Sequence, residues 1–219
     1  IFGKWMAQAW KDNRIGHVGF DPRFDVCTAW DWGRRDLTVC WFFQVIGPAF
    51  HFVDYFAASG LTVPDYMDML KEKKRERGYS YGLHFGPHDT ETKTIHAESS
   101  IADEAAEHGV FFEVVPRGTK AAGINKVREV LPRCWFDAER CEEGITALEQ
   151  YKYTWDPALG VFSKEPQHDK HSHGADAFRT FAMADVTPLT TADTKVSDCI
   201  IAFNPLRRGH DYEELHRWP

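Results

Sequence analysis

No apolar run in this sequence approaches the roughly 20 residues that a membrane-crossing helix needs, so a membrane partner is not expected. No secretory signal pattern opens the chain, and Ile1-Phe2-Gly3-Lys4-Trp5 has no initiator Met, so a piece of a longer protein is expected. There is no CxxC pair. The five cysteines (Cys27, Cys40, Cys134, Cys141, Cys199) are an odd number, which argues against a disulfide framework and for reduced thiols in a cytosolic protein. No G-x-x-x-x-G-K-[ST] loop occurs, so P-loop nucleotide hydrolysis is excluded. Positive charge is in deficit: 26 Lys and Arg against 33 Asp and Glu leave a net charge of −7. That balance argues against a general coat for polyanions. It leaves room for an enzyme acting on them, because acids that hold divalent cations make the bare chain acidic and the metals reverse the local sign.

What remains is 219 residues with 43% hydrophobic and 14% aromatic content, enough for one large domain with a real core. The stretch from Val26 to Thr38 organises it. An apolar run ends in Asp31; Gly33, Arg34 and Arg35 follow, and a second apolar run extends from Leu37 to Ile46. A short run without polar breaks reads as a strand buried on both faces. Asp31 at its end is an expensive place for a charge without a partner, so something cationic should meet it.

Residues 1–24 open with Trp5, Met6, Ala9 and Trp10 spaced for one helical face and end in a loop around Gly16, Gly19 and Pro22, which reads as a lead-in. Strands are expected at about 25–31, 36–46 and 49–58, the last two joined at Gly47-Pro48 as an antiparallel hairpin. A helix from Val63 to Arg77 has Pro in its first turn, cations in its last and Gly78 just beyond. Its cations Lys71, Lys73, Lys74, Arg75 and Arg77 are interleaved with Glu72 and Glu76, as on a solvated helix end. Tyr81 to Asp89 reads as a fourth strand ending in an acid. Then come a helix near 101–108, a strand at 110–115, a helix near 124–131, a short strand at 134–136 and a helix at 141–152. A hairpin is expected across 153–164 and a last helix at about 173–185, with Ser172 as its N-cap. After Pro188 the periodicity is lost, so 187–219 reads as a tail. The expected fold is α/β: a mixed sheet whose first three strands are antiparallel and whose later strands are parallel, flanked by helices. It occupies 25–186.

Three acids stand at comparable places: Asp31 after the first strand, Asp89 after the fourth, and Asp176 in the first turn of the last helix, where the helix dipole favours an anion. If the first and fourth strands are parallel neighbours, Asp31 and Asp89 meet at their C-terminal ends, where α/β sheets bind ligands. Converging carboxylates repel one another unless hard divalent ions, Mg²⁺ or Mn²⁺, hold them together. Two such ions can cut a phosphodiester. Asp36, His88, Glu91, Asp169 and His173 are candidates for a supporting layer of ligands, and N-capping or loop hydrogen bonding is the plainer role for each. His168, His171 and His173 with Cys134 or Cys141 match no structural zinc spacing. Arg34, Arg35, Lys120 and Arg179, with Arg117 and Lys126, are candidates for phosphate contacts, each equally a solvated surface charge.

Taken together, Thr28-Ala29-Trp30-Asp31-Trp32-Gly33 with Asp36-Leu37-Thr38, then Gly86-Pro87-His88-Asp89, then His173-Gly174-Ala175-Asp176-Ala177-Phe178-Arg179 resemble the C-terminal nuclease domain of tailed-phage large terminase subunits. Asn13-Arg14-Ile15-Gly16 to Asp21-Pro22 resembles that family's segment between ATPase motor and nuclease. The resemblance implies an RNase H-like fold and a metal-dependent endonuclease that cuts concatemeric double-stranded viral DNA during packaging, in the cytoplasm of the infected bacterial host. It implies that Asp31, Asp89 and Asp176 are the metal ligands and catalytic acids, that the portal and the small terminase subunit are partners, and that the 153–164 hairpin and the tail touch DNA or portal. The motor's P-loop is missing, so the chain should cut DNA without translocating it. A transposase- or resolvase-type RNase H-like nuclease shares the acids but leaves the lead-in and the His173–Arg179 helix unexplained. A non-catalytic portal-docking module is the remaining alternative.

Overall fold

In the computed structural model, residues 1–33, 36–93, 99–184 and 186 are described. Seven strands form one mixed sheet: β1 (Ile15–Gly16), β2 (Val26–Asp31), β3 (Thr38–Ile46), β4 (Ala49–Ala58), β5 (Tyr81–Gly86), β6 (Phe112–Val114) and β7 (Cys134–Asp137), in the order β1-β7-β4-β3-β2-β5-β6. β2, β3 and β4 are antiparallel neighbours, whereas β5 pairs with β2, β6 with β5, and β7 with β4 and β1, all in parallel. The expected mixed sheet is therefore present. Gly47, at φ +56°, makes the turn between β3 and β4.

Side chains along β3 show why this sheet is a middle layer. Val39, Trp41, Phe43 and Val45 point to one apolar cluster; Cys40 and Phe42 point to the other. On the first face lie α1 (Gly3–Lys11), α4 (Lys120–Val130), α5 (Glu142–Gln150) and α6 (Lys170–Met183); on the second lie α2 (Val63–Arg77) and α3 (Ile101–Glu107). The ends of α2 follow its sequence: the Thr62 hydroxyl and the Asp65 carboxylate form a capping box, and Gly78 closes the helix in the left-handed region at φ +74°. The cations of its last turns divide. Lys73 reaches the buried Asp54 at 2.6 Å, while Lys71 and Arg75 pair with Asp68 and Glu72 on the surface.

The lead-in is built into this layer structure. Met6 and Ala9 of α1 are buried, Trp10 is exposed and donates to Glu149 at 2.8 Å, and β1 adds an edge strand beside β7. Arg14, itself buried, donates from one Nη1 to the carbonyls of Leu131 and Cys134, at 2.9 Å each. Cys27, Cys40, Cys134 and Cys141 are all buried. Two-stranded β8 (Tyr153–Asp156) and β9 (Val161–Pro166) form the expected hairpin, which leaves Trp155, Leu159 and Phe162 exposed. The stretch 187–219 lies outside the described residues.

Two glycines let α5 and α6 pack closely on the sheet and on each other. Trp41 donates its indole N–H to the Gly174 carbonyl at 2.9 Å. A Cβ at Gly174 would stand 2.5 Å from the Ala147 methyl, and one at Gly144 would stand 2.3 Å from the Trp41 ring. Both distances are far inside van der Waals contact, so only glycine admits this spacing.

The start of α6 departs from the expectation. Asp169, not Ser172, is the N-cap, and its carboxylate accepts from the His171 amide at 2.9 Å. Ser172 sits inside the helix and donates its hydroxyl back to the Asp169 carbonyl at 2.7 Å. Asp176 consequently falls in the second helical turn, too far in for the end dipole to hold its charge, since that effect fades within the first turn.

Candidate metal centre

β2 and β5 run in parallel with Ala29 opposite Phe85, so the chain leaves both strands at the same edge of the sheet. Asp31 is the last residue of β2. Asp89 lies beyond β5, in a short 3₁₀ turn over His88–Glu91, and not on the strand itself. Pro87 stops the strand, and the Thr90 amide closes the turn on the Pro87 carbonyl at 2.9 Å. The turn is tied to β2 through Trp32, whose indole N–H donates to the Thr90 hydroxyl at 3.1 Å. A Cβ at Gly86 would meet that same hydroxyl at 2.3 Å, so glycine lets the turn fold back on the strand.

α6 crosses this edge. His173, Asp176 and Arg179 are spaced by three along it and so share a face. His173 Nδ1 is 3.1 Å from Asp31 Oδ2, and Arg179 Nη1 is 2.7 Å from Asp176 Oδ1. Burial raises the Asp31 carboxyl above its usual range; the His173 bond opposes that rise, and the charges of Asp176 and Asp89 add to it. Asp89 and Asp176 thus stand close enough to Asp31 to act on its charge. The bond to Asp31 raises the His173 imidazole, against burial, with Asp36 and Asp176 adding to the rise. Asp89 Oδ1 is buried with no hydrogen-bond partner among the described residues. A buried carboxylate oxygen left without a partner is costly, and a cation removes that cost. Carboxylate oxygens are the donors that suit a hard divalent ion such as Mg²⁺ or Mn²⁺.

The group that meets Asp31 is therefore His173, far along the chain. Arg34 and Arg35 lie outside the described residues. Of the other candidates, Asp36 is exposed, with His168 Nε2 at 3.7 Å from its Oδ2. Glu91 is exposed, and Asp169 is engaged as the helix cap. His88 turns to a neighbouring cleft of about 590 Å³, lined also by Arg117, Lys120, Glu165 and Arg179. Lys120 opens α4, and Lys126 further along pairs with Glu129 at 3.7 Å. Arg179 belongs to both places: it lines the cleft and holds Asp176.

Two further groups lie outside the sequence expectation, Tyr151 near Asp176 and His84 on the other face of the sheet. The Tyr151 hydroxyl is buried without a hydrogen-bond partner among the described residues, and its phenol is raised by burial and then by the Asp176 charge. On that other face, Trp30 donates its indole N–H to the Thr28 hydroxyl at 2.8 Å, and that hydroxyl lies 2.7 Å from His84 Nδ1. Burial holds His84 neutral, at about 4. No local pattern flags either residue, because both act through neighbours distant in sequence.

The sheet order and the acids at its edge define an RNase H-like fold. Among solved structures, the chain resembles the large terminase of a thermophilic bacteriophage, with a TM-score of 0.61 and 15% identity over 81% of this chain and 44% of that one. It also resembles the large terminase nuclease of thermophilic phage G20c with bound magnesium (TM-score 0.54, 14% identity, 79% of this chain and 94% of that one). The nuclease domain of the large terminase from bacteriophage SPP1 with bound Mn is likewise similar (TM-score 0.52, 16% identity, 71% and 84%). The chain thus spans less than half of the first of these proteins and most of the two nuclease domains. No protein-family model and no curated protein matches the sequence.

Proposed function

We propose that this chain is the nuclease domain of a phage large terminase, an endonuclease that uses Mg²⁺ or Mn²⁺ to hydrolyse double-stranded concatemeric DNA during genome packaging. The observation that carries the proposal is that the charges of Asp89 and Asp176 both act on the buried Asp31, with a buried Asp89 oxygen that lacks a partner among the described residues. When bound there, two divalent ions supply an activated water and charge for the leaving oxygen. Asp31, Asp89 and Asp176 would hold them. His173 orients Asp31, and Arg179 orients Asp176. Asp36, His88, Glu91 and Asp169 remain outer candidates in the same proposal. Arg117, Lys120 and Arg179 give the adjoining cleft a cationic lining against the single acid Glu165, which suits a phosphate backbone passing without base readout. Arg34 and Arg35 extend the same role.

In the same proposal, residues 1–24 connect to an ATPase motor, the 153–164 hairpin and the tail contact DNA or portal, and the assembly includes the portal and the small terminase subunit in the host cytoplasm. The similarity in fold to terminase nuclease domains that contain Mg or Mn supports this reading. The test is cleavage of supercoiled plasmid with Mn²⁺, Mg²⁺ or EDTA by the chain and by Asp31→Asn and Asp176→Asn. Metal-dependent nicking that both substitutions abolish, with circular dichroism unchanged, is the expected result. An inert wild-type chain, or variants that cut equally well, overturns the proposal and favours a docking module.

A further inference from the structure

Outside the acidic set, Asp36, His168 and His173 each bring one ligating atom to within 4.8 Å of the others. The two imidazoles stand 5.2 Å apart between centroids, inclined at 72°. Their hydrogen bonds fix which nitrogen each presents. Ser172 gives its only hydroxyl proton to the Asp169 carbonyl at 2.7 Å, so at 3.1 Å from His168 Nδ1 it acts as acceptor, and the ring proton sits on Nδ1. The lone pair of His168 is therefore on Nε2, and Nε2 faces the Asp36 carboxylate at 3.7 Å, beyond hydrogen-bond reach. His173 gives its Nδ1 proton to Asp31, which leaves Nε2 as its donor atom. Each ring is oriented through the nitrogen opposite its donor atom, by a hydroxyl in one case and a carboxylate in the other. Metal-ligating histidines are held in this way. Two lone pairs and a carboxylate then converge with no proton assigned between them.

We propose that Asp36, His168 and His173 form a separate site for a borderline transition-metal ion of the zinc type, with the His173 ring standing between that ion and Asp31. Two imidazoles and one carboxylate favour such an ion over Mg²⁺, which prefers oxygen ligands, and three protein ligands leave one position for solvent. Asp36 and His168 are exposed, so the ion can enter from solvent. The site does not depend on nuclease activity, and it is read without DNA.

The test is calorimetric titration of the untagged chain with Zn²⁺, and with Co²⁺ followed by its visible absorption, in parallel with His168→Ala and Asp89→Asn. Asp89→Asn, which weakens the acid centre, is expected to keep one equivalent that gives a cobalt band, and wild type is expected to show the same band. His168→Ala, a surface change, should bind at least about ten-fold more weakly and lose the band. The Zn²⁺-dependent rise in Tm should be smaller in His168→Ala than in wild type and should persist in Asp89→Asn. Equal binding by His168→Ala, or loss of binding only in Asp89→Asn, overturns the proposal by assigning the ion elsewhere.

Discussion

Arg179 reaches Asp176 at 2.7 Å by lying flat across Gly123 of α4. A Cβ on Gly123 would stand 2.1 Å from Arg179 Cδ, so the guanidinium and the methyl exclude each other. Gly123→Ala should raise helix propensity by up to about 1 kcal/mol and yet move Arg179 off Asp176. Loss of a charge-assisted bond of about 1.5–3 kcal/mol corresponds to a metal-dependent nicking rate lower by roughly ten-fold or more. Single-turnover nicking with a urea-unfolding control checks this. A variant as active as wild type would show that Asp176 needs no partner.

The buried His84 gives the fold an acid limit. Its native value of about 4 lies below the 6.5 of an unfolded histidine, so the unfolded chain takes up the proton first. The stability tied to neutral His84 is fully present above about pH 6.5 and is lost as the pH falls toward 4, by on the order of 3 kcal/mol. His84→Asn keeps an acceptor for the Thr28 hydroxyl and does not titrate. Its urea midpoint should therefore fall less than wild type's between pH 7 and pH 4.5; parallel falls in both proteins contradict the assignment.

Metal binding should appear in stability before it appears in catalysis. Mn²⁺ at a hundred times its Kd adds about 2.7 kcal/mol to unfolding, and Asp89→Asn should lose most of that gain. In EDTA the order reverses for Asp31→Asn. With burial and two neighbouring acids disfavouring its charge, the neutral variant should melt at or above wild type. A lower Tm in EDTA would mean that the His173 bond outweighs the repulsion.

Gly174→Ala tests the close approach of α6. The added methyl would meet Ala147 at 2.5 Å and the Tyr55 hydroxyl at 3.0 Å, so α6 must lift from α5. A cost of about 1–3 kcal/mol is expected from overpacking, measured by urea unfolding, with nicking reduced because Asp176 and His173 ride on the same helix.

The elements whose information is local were legible in the sequence. α2 starts and stops where its capping residues and Gly78 dictate, and the β3–β4 hairpin turns at Gly47 as expected. The start of α6 offered two capping side chains three residues apart, Asp169 and Ser172, with comparable intrinsic preference. Packing decided for the earlier one, and the last helix gained a turn. Asp89 read as a strand end because Gly86-Pro87 does not reveal that the chain folds back on Thr90. The partner of Asp31 was harder still: Arg34 and Arg35 are adjacent in sequence, whereas His173 is 142 residues away. The layer around the acids, with Tyr151, His168 and Gly123 among them, depends on which helix covers which strand edge, and no local spacing encodes that.

That 142-residue separation between Asp31 and His173 has a consequence for how the protein is made. During synthesis at roughly 5–20 residues per second, β2 emerges many seconds before α6. In that interval Asp31 has neither His173 nor Asp176 beside it, so the nascent chain holds an unfinished pocket. Because the last helix brings His173 and Asp176 to Asp31, the proposed cutting capacity would arise only once that helix has been made. A ribosome-stalled fragment ending before residue 170 should leave nearby DNA intact.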